Sequence, residues 1–378
     1  PLLVLAGAGS GKTRVITYRI AHLIGQGCRP RSILAVTFTN KAAGEMRERA
    51  GQLLGTGASG LWVGTFHSIC ARLLRIHGER VGLSRSFVIY DDDDQLALLR
   101  KILAAREIPE RLLAAREVRW RIDRAKNDGV GPADYQGGDF VTDKVAEIYP
   151  EYEQRLLAAD AADFGNLLLK TNELLQVDPE LRRHLADEFE HVLVDEFQDT
   201  NTVQYALVRQ LSGGHRNLCV VGDDDQAIYG WRGANIRNIL GFEHDHPDAH
   251  VVKLEQNYRS TQIILDASDA VIATVAGRKA KRLWTARQGG EPIVHAELED
   301  ERAEAQFVVN TLLRLRRTEG RAFGDFALFY RTHAQSRVLE EALRSARPPV
   351  PYAVVGGVRF YDRAEIRDLV AFLRVLTN

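Results

Sequence analysis

The sequence has little cysteine and no long apolar run. Its three cysteines, Cys28, Cys70 and Cys219, form no CxxC pair and no cluster with histidine at metal-binding spacing, so reduced thiols are the expected state. No apolar run approaches the roughly 18 residues that a membrane-spanning helix needs, and no signal peptide opens the chain. These absences predict a cytoplasmic protein without disulfides and without a membrane partner.

The chain also lacks an excess of either charge. Its net charge is -1 and its pI is near 7, which excludes a protein that attracts nucleic acid over its whole surface, so any polyanion site must be a local groove. A length of 378 residues predicts two or three domains. The chain begins at Pro1 without Met and stops at Asn378 just after a helical pattern. We expect both ends to be cuts through a larger protein.

The first 66 residues alternate strand and helix patterns. A strand "LLVL" leads through a glycine-rich turn to an amphipathic helix at 12–27, and a strand at 32–38 leads to a helix at 40–55. A third strand pattern follows at 61–67. This β-α-β alternation predicts an α/β fold with a parallel, doubly wound sheet.

Residues 67–190 change to an almost wholly helical pattern, which predicts an all-helical domain inserted into the sheet domain. Strand patterns resume at 191–197, 217–224 and 250–259. A helix at 261–275 then leads to predicted strands "PIVHAEL" and "DFALFYR", at 292–298 and 325–331, with helices between them. These indicate a second α/β domain that the chain leaves unfinished.

Residues 6–13, "AGAGSGKT", lie between a predicted strand and a predicted helix. Glycines let backbone N–H groups wrap a polyphosphate, and the N-terminus of the following helix adds a favourable dipole. Lys12 would then reach the β- and γ-phosphates of ATP, and the Thr13 hydroxyl would ligate Mg²⁺. Ala6 replaces the first glycine of the strict pattern, a small-for-small change. The expected nucleotide-binding residues are Ala8, Gly9, Ser10, Gly11, Lys12 and Thr13.

An acidic pair ends the strand in "HVLVDEFQDT". Asp195 would hold Mg²⁺ through its water shell, and Glu196 would orient and deprotonate the attacking water. An acidic pair after a strand is also common as a solvated loop. Beside a phosphate-binding loop, the catalytic interpretation is favoured.

The segment "VGDDDQAIYGWRGA" again follows a strand. Gln226 is a neutral donor that could sense the γ-phosphate. Tyr229, Trp231 and Arg232 place rings beside a cation, which suits the stacked bases and phosphates of a single strand. The alternative is that Trp231 is a core residue.

The segment "LEQNYRS" ends the last strand of the first sheet. Arg259 stands where a guanidinium could enter the ATP cleft as an arginine finger, a device worth on the order of 10³ to 10⁵ in rate. Tyr258 could stack on adenine, with Arg14 on the other face. A surface ion pair is the alternative for Arg259.

Seven segments together resemble the ordered motifs of superfamily 1 DNA helicases, most closely the UvrD/PcrA/Rep group, and the likeness covers essentially the whole chain. They are "AGAGSGKTR", "AVTFTNKAAGEMRER", "GTFHSICARLLR", "LVDEFQDTN", "VGDDDQAIYGWRGAN", "LEQNYRST" and "YRTHAQSRVLEEAL". The resemblance implies a RecA-like P-loop motor domain 1A at 1–66 and 191–257, a helical accessory domain 1B at 67–190, and the first part of a second motor domain, 2A, at 258–378.

The resemblance also assigns residues. It implies that Lys12, Thr13, Asp195, Glu196, Gln226 and Arg259 line the ATP site. It places a single-stranded DNA path along Phe38, Thr39, Asn40, Thr65, His67, Tyr229, Trp231, Arg232 and Arg331. From the residues alone, Phe38 is as readily a core aromatic, and His67 a capping or buried histidine. The basic helix 114–127 is either a duplex or phosphate contact or a solvated surface.

The implied activity is ATP-dependent 3′→5′ unwinding or translocation in bacterial DNA repair and replication, with ATP and Mg²⁺ as cofactors. The implied partners are single-stranded DNA, single-strand/duplex junctions and DNA repair proteins. A glutamine motif that reads adenine in the family is absent before the glycine-rich loop, and the family's last two motifs would follow Asn378. Two alternatives remain, the helicase module of a RecB- or AddA-type helicase–nuclease, and a fragment that binds ATP and DNA without unwinding.

Overall fold

A computed structural model describes residues 1–355, apart from the side chain of residue 56. Contacts divide the chain into two compact units, the first from Pro1 to Pro292 and the second from Ile293 onward. The division of the chain into domains 1A, 1B and 2A stays a prediction. Within the described part of the chain, no helix is both long and apolar enough to cross a membrane.

The first unit is built on a parallel sheet in the order β3-β2-β6-β7-β1-β8. The strands of the described residues are β1 Leu2–Ala6, β2 Ile33–Thr37, β3 Trp62–Thr65, β4 Val88–Tyr90, β5 Ala161–Asp163, β6 His191–Val194, β7 Leu218–Gly222 and β8 His250–Leu254. β2 and β7 are buried along their whole length, as expected for strands covered on both faces. The predicted α/β fold with a parallel sheet is confirmed.

Helices cover both faces of this sheet. The helices of the described residues, counted over both units, are α1 Lys12–Gly25, α2 Asn40–Leu54, α3 Phe66–His77, α4 Asp92–Ala105, α5 Ala115–Asn127, α6 Phe140–Ala158, α7 Phe164–Val177, α8 Pro179–Glu188, α9 Thr202–Ser212, α10 Arg237–Leu240, α11 Phe242–Asp245, α12 Gln262–Ile272, α13 Glu301–Glu319 and α14 Ser336–Ser345; α13 and α14 belong to the second unit. Alternate residues of β1 enter two separate cores: Leu3 and Leu5 pack with α3, α7 and α9, whereas Val4 packs with α1 and α2. Because all strands are parallel, the loops at their carboxyl ends meet at one edge.

The sequence predicts an all-helical segment between β3 and β6, and the structure contradicts that prediction. β4 and β5 form a two-stranded parallel sheet beside the helices, which have their own core around Leu99, Ile122 and Tyr149. Each strand is only three residues long and its partner is remote in sequence, so a local pattern does not indicate either one.

The second unit differs from its prediction. α13 and α14 pack around Val309, Leu312, Leu343 and Val350, but in the part of this unit that the structure describes neither predicted strand, 292–298 or 325–331, is formed. A strand requires ladder hydrogen bonds to a neighbour, and neither segment has such a partner among these residues. Both strand predictions are therefore wrong for the described residues.

Candidate ATP and nucleic-acid site

The loop between β1 and α1 has the backbone of a phosphate-binding turn. Gly9 and Gly11 adopt φ values of 68° and 96°, which favour glycine. Gly11 caps α1 without a side-chain hydrogen bond, so the first N–H groups of the helix are free to meet an anion. Ser10 Oγ donates to the Gly7 carbonyl at 2.7 Å and closes the turn. The predicted residues Ala8 to Thr13 thus form one cradle.

The acidic pair after β6 faces this cradle. Lys12 Nζ lies 3.6 Å from Glu196 Oε2. Asp195 is buried, and burial, followed by the Glu196 charge, raises its pKa to about 6, although Lys12 and a hydrogen bond with Thr13 act in the opposite direction. The structure therefore brings Lys12, Thr13, Asp195 and Glu196 together, and the interpretation as a solvated loop is not supported.

Glu196 has an unusual backbone that its neighbours hold in place. Its φ is 49°, a left-handed conformation that costs a non-glycine residue free energy and is frequent at functional sites. Its N–H donates to Asp195 Oδ1 at 3.0 Å, and Gln198 Nε2 donates to its Oε2 at 2.8 Å. These bonds fix the direction of the Glu196 carboxylate. Gln198 was missed by sequence reasoning, although it lies within the quoted motif.

Gln198 also connects this pair to the loop after β7. Its Oε1 accepts the N–H of Asp223 at 2.9 Å, and Asp223 Oδ2 accepts from Gln226 Nε2 at 2.6 Å. The predicted γ-phosphate sensor and the predicted base are thereby joined through two intermediate side chains.

The segment after β8 docks directly on the glycine-rich loop. Asn257 Nδ2 donates to the Ala8 carbonyl at 2.6 Å, and its Oδ1 accepts the N–H groups of Arg259 at 2.8 Å and Ser260 at 2.7 Å. A Cβ on Gly9 would lie 2.6 Å from Asn257 Nδ2 and 2.8 Å from Arg259 Cβ. Sequence reasoning missed Asn257, which sets the position of Arg259 against the loop.

Arg259 is exposed, and no carboxylate of the described residues lies within ion-pair distance of it. The surface ion pair considered from the sequence is therefore absent there. Tyr258 is also exposed, and its N–H donates to the Gly9 carbonyl at 3.0 Å. Arg14 lies over the Tyr18 ring at 5.1 Å, so the pairing of Arg14 with Tyr258 around adenine stays a prediction.

A row of rings lies at the same edge of the sheet. Phe38, just after β2, stacks on Tyr229 with ring centroids 5.0 Å apart, and Trp231 follows at 6.5 Å from Tyr229. The Arg232 guanidinium lies 5.4 Å from the Tyr229 ring and 4.6 Å from the Trp231 ring. Trp231 is 71% exposed, which contradicts the core alternative, and Phe38 is only partly buried. We call these four residues the aromatic platform.

The predicted threonines serve first as helix caps. Thr39 Oγ1 accepts the Ala42 N–H at 3.1 Å at the start of α2, and Thr65 Oγ1 accepts the Ser68 N–H at 3.2 Å at the start of α3. Asn40 follows Thr39 as the exposed first residue of α2. These contacts place the residues at strand ends and use only an oxygen lone pair of each hydroxyl, so each O–H can still donate.

His67 is a neutral ring at neutral pH. Burial lowers its pKa to about 4, so it carries no positive charge toward a phosphate. Its ring lies 5.8 Å from that of Phe164, whose side chain is 48% exposed and was missed by sequence reasoning. Arg331 belongs to the second unit, where it is exposed and its N–H donates to Gln335 Oε1 at 2.9 Å.

The basic helix α5 presents fewer cations than the sequence suggests. Arg116, Trp120 and Arg124 are exposed on one face, and the Arg124 guanidinium lies 5.5 Å from the Trp120 ring. Lys126, by contrast, is buried between Glu153 and Asp163 at 2.6 Å from each. The helical period turns Lys126 inward, so its interpretation as a surface phosphate contact was wrong.

Among the residues of the described range, no group of three or more His, Cys, Asp or Glu side chains could hold a metal ion. Mg²⁺ bound with a nucleotide needs only one or two protein ligands, because substrate phosphates supply others. Thr13 and Asp195 are oxygen donors of the kind that Mg²⁺ prefers, and the Thr13 hydroxyl is near enough to Asp195 to oppose the rise of its pKa. The residues present therefore fit Mg²⁺ bound together with a nucleotide.

Two family models match the chain. The model described as UvrD/REP helicase N-terminal domain matches residues 1–247, and the UvrD-like helicase C-terminal domain matches residues 252–378. Similar proteins include ATP-dependent DNA helicase PcrA of Staphylococcus aureus and of Staphylococcus epidermidis, each 46% identical over 381 residues that cover 100% of this chain and 52% of the relative. The chain thus spans about half the length of these relatives. The resemblance seen in the seven motifs is confirmed, and the chain belongs to the UvrD/REP helicase family.

Proposed function

We propose that this chain carries the ATP site and part of the single-strand path of an ATP-driven 3′→5′ DNA helicase. The observation that supports it most directly is the connection from Lys12 and Glu196, through Gln198 and Asp223, to Gln226. Tyr229 of the aromatic platform is the third residue after Gln226 in the sequence. One loop thus serves both a phosphate sensor and a surface for bases.

In this proposal each residue at the cradle has one task. The N–H groups of the glycine-rich loop and Lys12 bind the phosphates. Glu196 orients a water molecule for attack and accepts its proton. Mg²⁺, held by Thr13 and Asp195, supplies neutralisation of phosphate charge when it is bound. Arg259 stabilises the charge that develops in the transition state, as an arginine finger does.

The platform is proposed to hold single-stranded DNA by stacking. Bases stack on exposed aromatic faces without sequence preference, and Arg232 adds a cation beside the rings. Thr39, Asn40, Thr65 and His67 are proposed to line the same path because they lie at neighbouring strand ends; a neutral His67 would stack or donate a hydrogen bond there. Arg331 is retained as a contact on the strength of the family resemblance alone.

The 3′→5′ direction, action at single-strand/duplex junctions and a role in repair rest on the resemblance alone, since the name of the relatives gives only an ATP-dependent DNA helicase. Because bacterial chromosomal DNA lies in the cytoplasm, a cytoplasmic location is part of the same proposal. Unwinding of duplexes with a 3′ tail, and not of those with a 5′ tail, by the complete gene product tests the direction. The opposite preference would contradict it.

ATPase activity with and without oligo-dT tests the central proposal, on the 378-residue chain and on the complete gene product. We expect DNA-stimulated turnover in the gene product, its loss in Lys12→Ala, and retained ATP and DNA binding without turnover in Glu196→Gln. Turnover by Glu196→Gln at the wild-type rate would refute its role as the base.

Two other outcomes separate the alternatives. Turnover by the gene product but only binding by the 378-residue chain would favour a fragment that binds without unwinding. Cleavage of DNA by the gene product would favour the helicase–nuclease.

A further inference from the structure

Residues 278–285, which we call the strap, contact two loops of the ATP site within the first unit. Trp284 exchanges backbone hydrogen bonds with the segment that leads to Arg259, since its N–H donates to the Glu255 carbonyl at 3.0 Å and its carbonyl accepts the Asn257 N–H at 2.8 Å. Leu283 packs on the glycine-rich loop, where a Cβ on Gly7 would collide with Leu283 Cδ2. The strap therefore fixes the distance between the phosphate loop and the Arg259 segment.

The strap also binds the turn of three aspartates after β7. Lys281 Nζ lies 2.8 Å from Asp223 Oδ1, 2.5 Å from Asp224 Oδ1 and 3.0 Å from Asp225 Oδ2, and its side chain is only 2% exposed. Arg278 adds a bidentate pair with Asp225 at 2.8 and 2.7 Å. Three consecutive carboxylates repel one another, and burial strengthens that repulsion. Lys281 is the cation that all three of them share.

This contact reaches the catalytic side chains through Asp223. One carboxylate oxygen of Asp223 accepts from Lys281, while the other accepts from Gln226 Nε2 at 2.6 Å. The Asp223 N–H donates to Gln198, which in turn donates to Glu196. A rotation of Asp223 would therefore release the γ-phosphate sensor and loosen the orientation of the base.

We propose that Lys281 is a positioning residue for ATP hydrolysis, which holds the Asp223–Asp225 turn so that Gln226 and Glu196 keep their orientation. This inference rests on the proposed function, because it concerns turnover at that site. Lys281 binds the turn through carboxylates and does not belong to the phosphate-binding loop. Its removal should therefore slow turnover without weakening ATP binding.

Lys281→Met removes the charge and keeps the length of the side chain. In the complete gene product we expect the kcat of DNA-stimulated ATP hydrolysis to fall on the order of 10- to 100-fold, the loss that follows a small misplacement of catalytic groups, while the KM for ATP stays within about threefold of wild type. Lys281→Arg, which restores the cation, should recover most of the lost kcat. Hydrogen exchange of residues 223–233 should be faster in Lys281→Met than in wild type.

Lys279→Met is the matched control. Lys279 is two residues away, its Nζ pairs with Glu243 outside the turn, and the bond from its backbone N–H to Asp224 survives the substitution. We expect wild-type kcat and wild-type exchange at 223–233. Equal kcat in Lys279→Met and Lys281→Met would overturn the inference, and so would a parallel loss of ATP binding and turnover in Lys281→Met.

A buried carboxylate without its cation can prevent folding, and a second variant covers that outcome. Lys281→Met combined with Asp224→Asn removes one charge of each sign, so it should fold and still turn over slowly, because Asp223 remains unheld. Wild-type kcat in this double variant would refute the inference. Absence of ATPase in the wild-type gene product would instead refute the proposed function and, with it, a role of Lys281 in hydrolysis; the exchange rate of residues 223–233 would then decide only whether Lys281 holds the Asp223–Asp225 turn.

Discussion

Trp231 offers the most direct test of the single-strand path. Its side chain is 71% exposed, its ring lies 4.6 Å from the Arg232 guanidinium, and no core depends on it. Replacement of a stacked aromatic by alanine costs about 1–3 kcal/mol per base, which corresponds to a rise in Kd of about 5- to 150-fold. Since the residue is exposed, we expect the free energy of unfolding to change by less than about 0.5 kcal/mol.

Fluorescence anisotropy of labelled oligo-dT at one fixed salt concentration measures this Kd in the complete gene product; salt must be held constant because phosphate contacts make affinity depend on it. Trp120→Ala is the matched control, since Trp120 is another exposed tryptophan, 46% accessible, but on α5 and outside the platform. It should leave oligo-dT affinity unchanged. An unchanged Kd in Trp231→Ala, or equal losses in both variants, would refute stacking on the platform.

Two further predictions concern the phosphate loop and the histidine beside Phe164. Gly9→Ala should abolish ATP binding, measured with a fluorescent analogue, because the new Cβ would collide with Asn257 and Arg259 at a positive φ. Gly44→Ala in α2, where nothing lies within 4 Å of the added Cβ, should bind ATP normally. Normal binding by both variants would contradict the close approach of Asn257 and Arg259 to Gly9. Burial lowers the pKa of His67 in the folded protein from its ordinary value of 6.5 to about 4, so the unfolded state takes up its proton first. The stabilising effect of the neutral ring is therefore present above about pH 6.5 and lost as pH falls toward 4. His67→Gln should reduce the pH dependence of the melting temperature between pH 4 and 6.5. It should leave the pH profile of DNA binding between pH 7 and 8 unchanged, and a His67-dependent step in that upper range would show that the ring is charged.

The parts of the fold that could be predicted are those whose signals are local. The β1–α1–β2–α2–β3 order follows from apolar periodicity, glycine turns and caps such as Thr39, all within short windows. The β4–β5 pair could not be predicted in this way, because residues 88–90 pair with residues 161–163. Lys126 lies four residues after Ile122 on the buried face of α5, but its partners Glu153 and Asp163 are remote in sequence.

The candidate site shows the same division. Lys12, Asp195 and Glu196 could be predicted as residues of one candidate site, because each belongs to a motif with a recognisable spacing. Asn257 bonds to Ala8 across a separation of 249 residues, and Lys281 bonds to Asp224 across a separation of 57 residues. No local sequence pattern therefore predicts either contact. Residues that hold the proposed catalytic groups in place are therefore harder to predict from the sequence than those groups themselves.

The arrangement also limits how ATP and DNA can influence each other. Gln226 and Tyr229 lie in one short loop after β7, and Tyr229 is held from the other side by Phe38, which follows β2. A movement of Gln226 toward or away from a γ-phosphate would thus displace the Tyr229 ring, which lies in the same loop and stacks on Phe38. Coupling needs an element that both ligands bias, and this loop carries one residue of each surface, Gln226 and Tyr229. Because Lys281 holds the loop at its start, a loosened Asp223 should weaken DNA stimulation of turnover more than it weakens DNA binding.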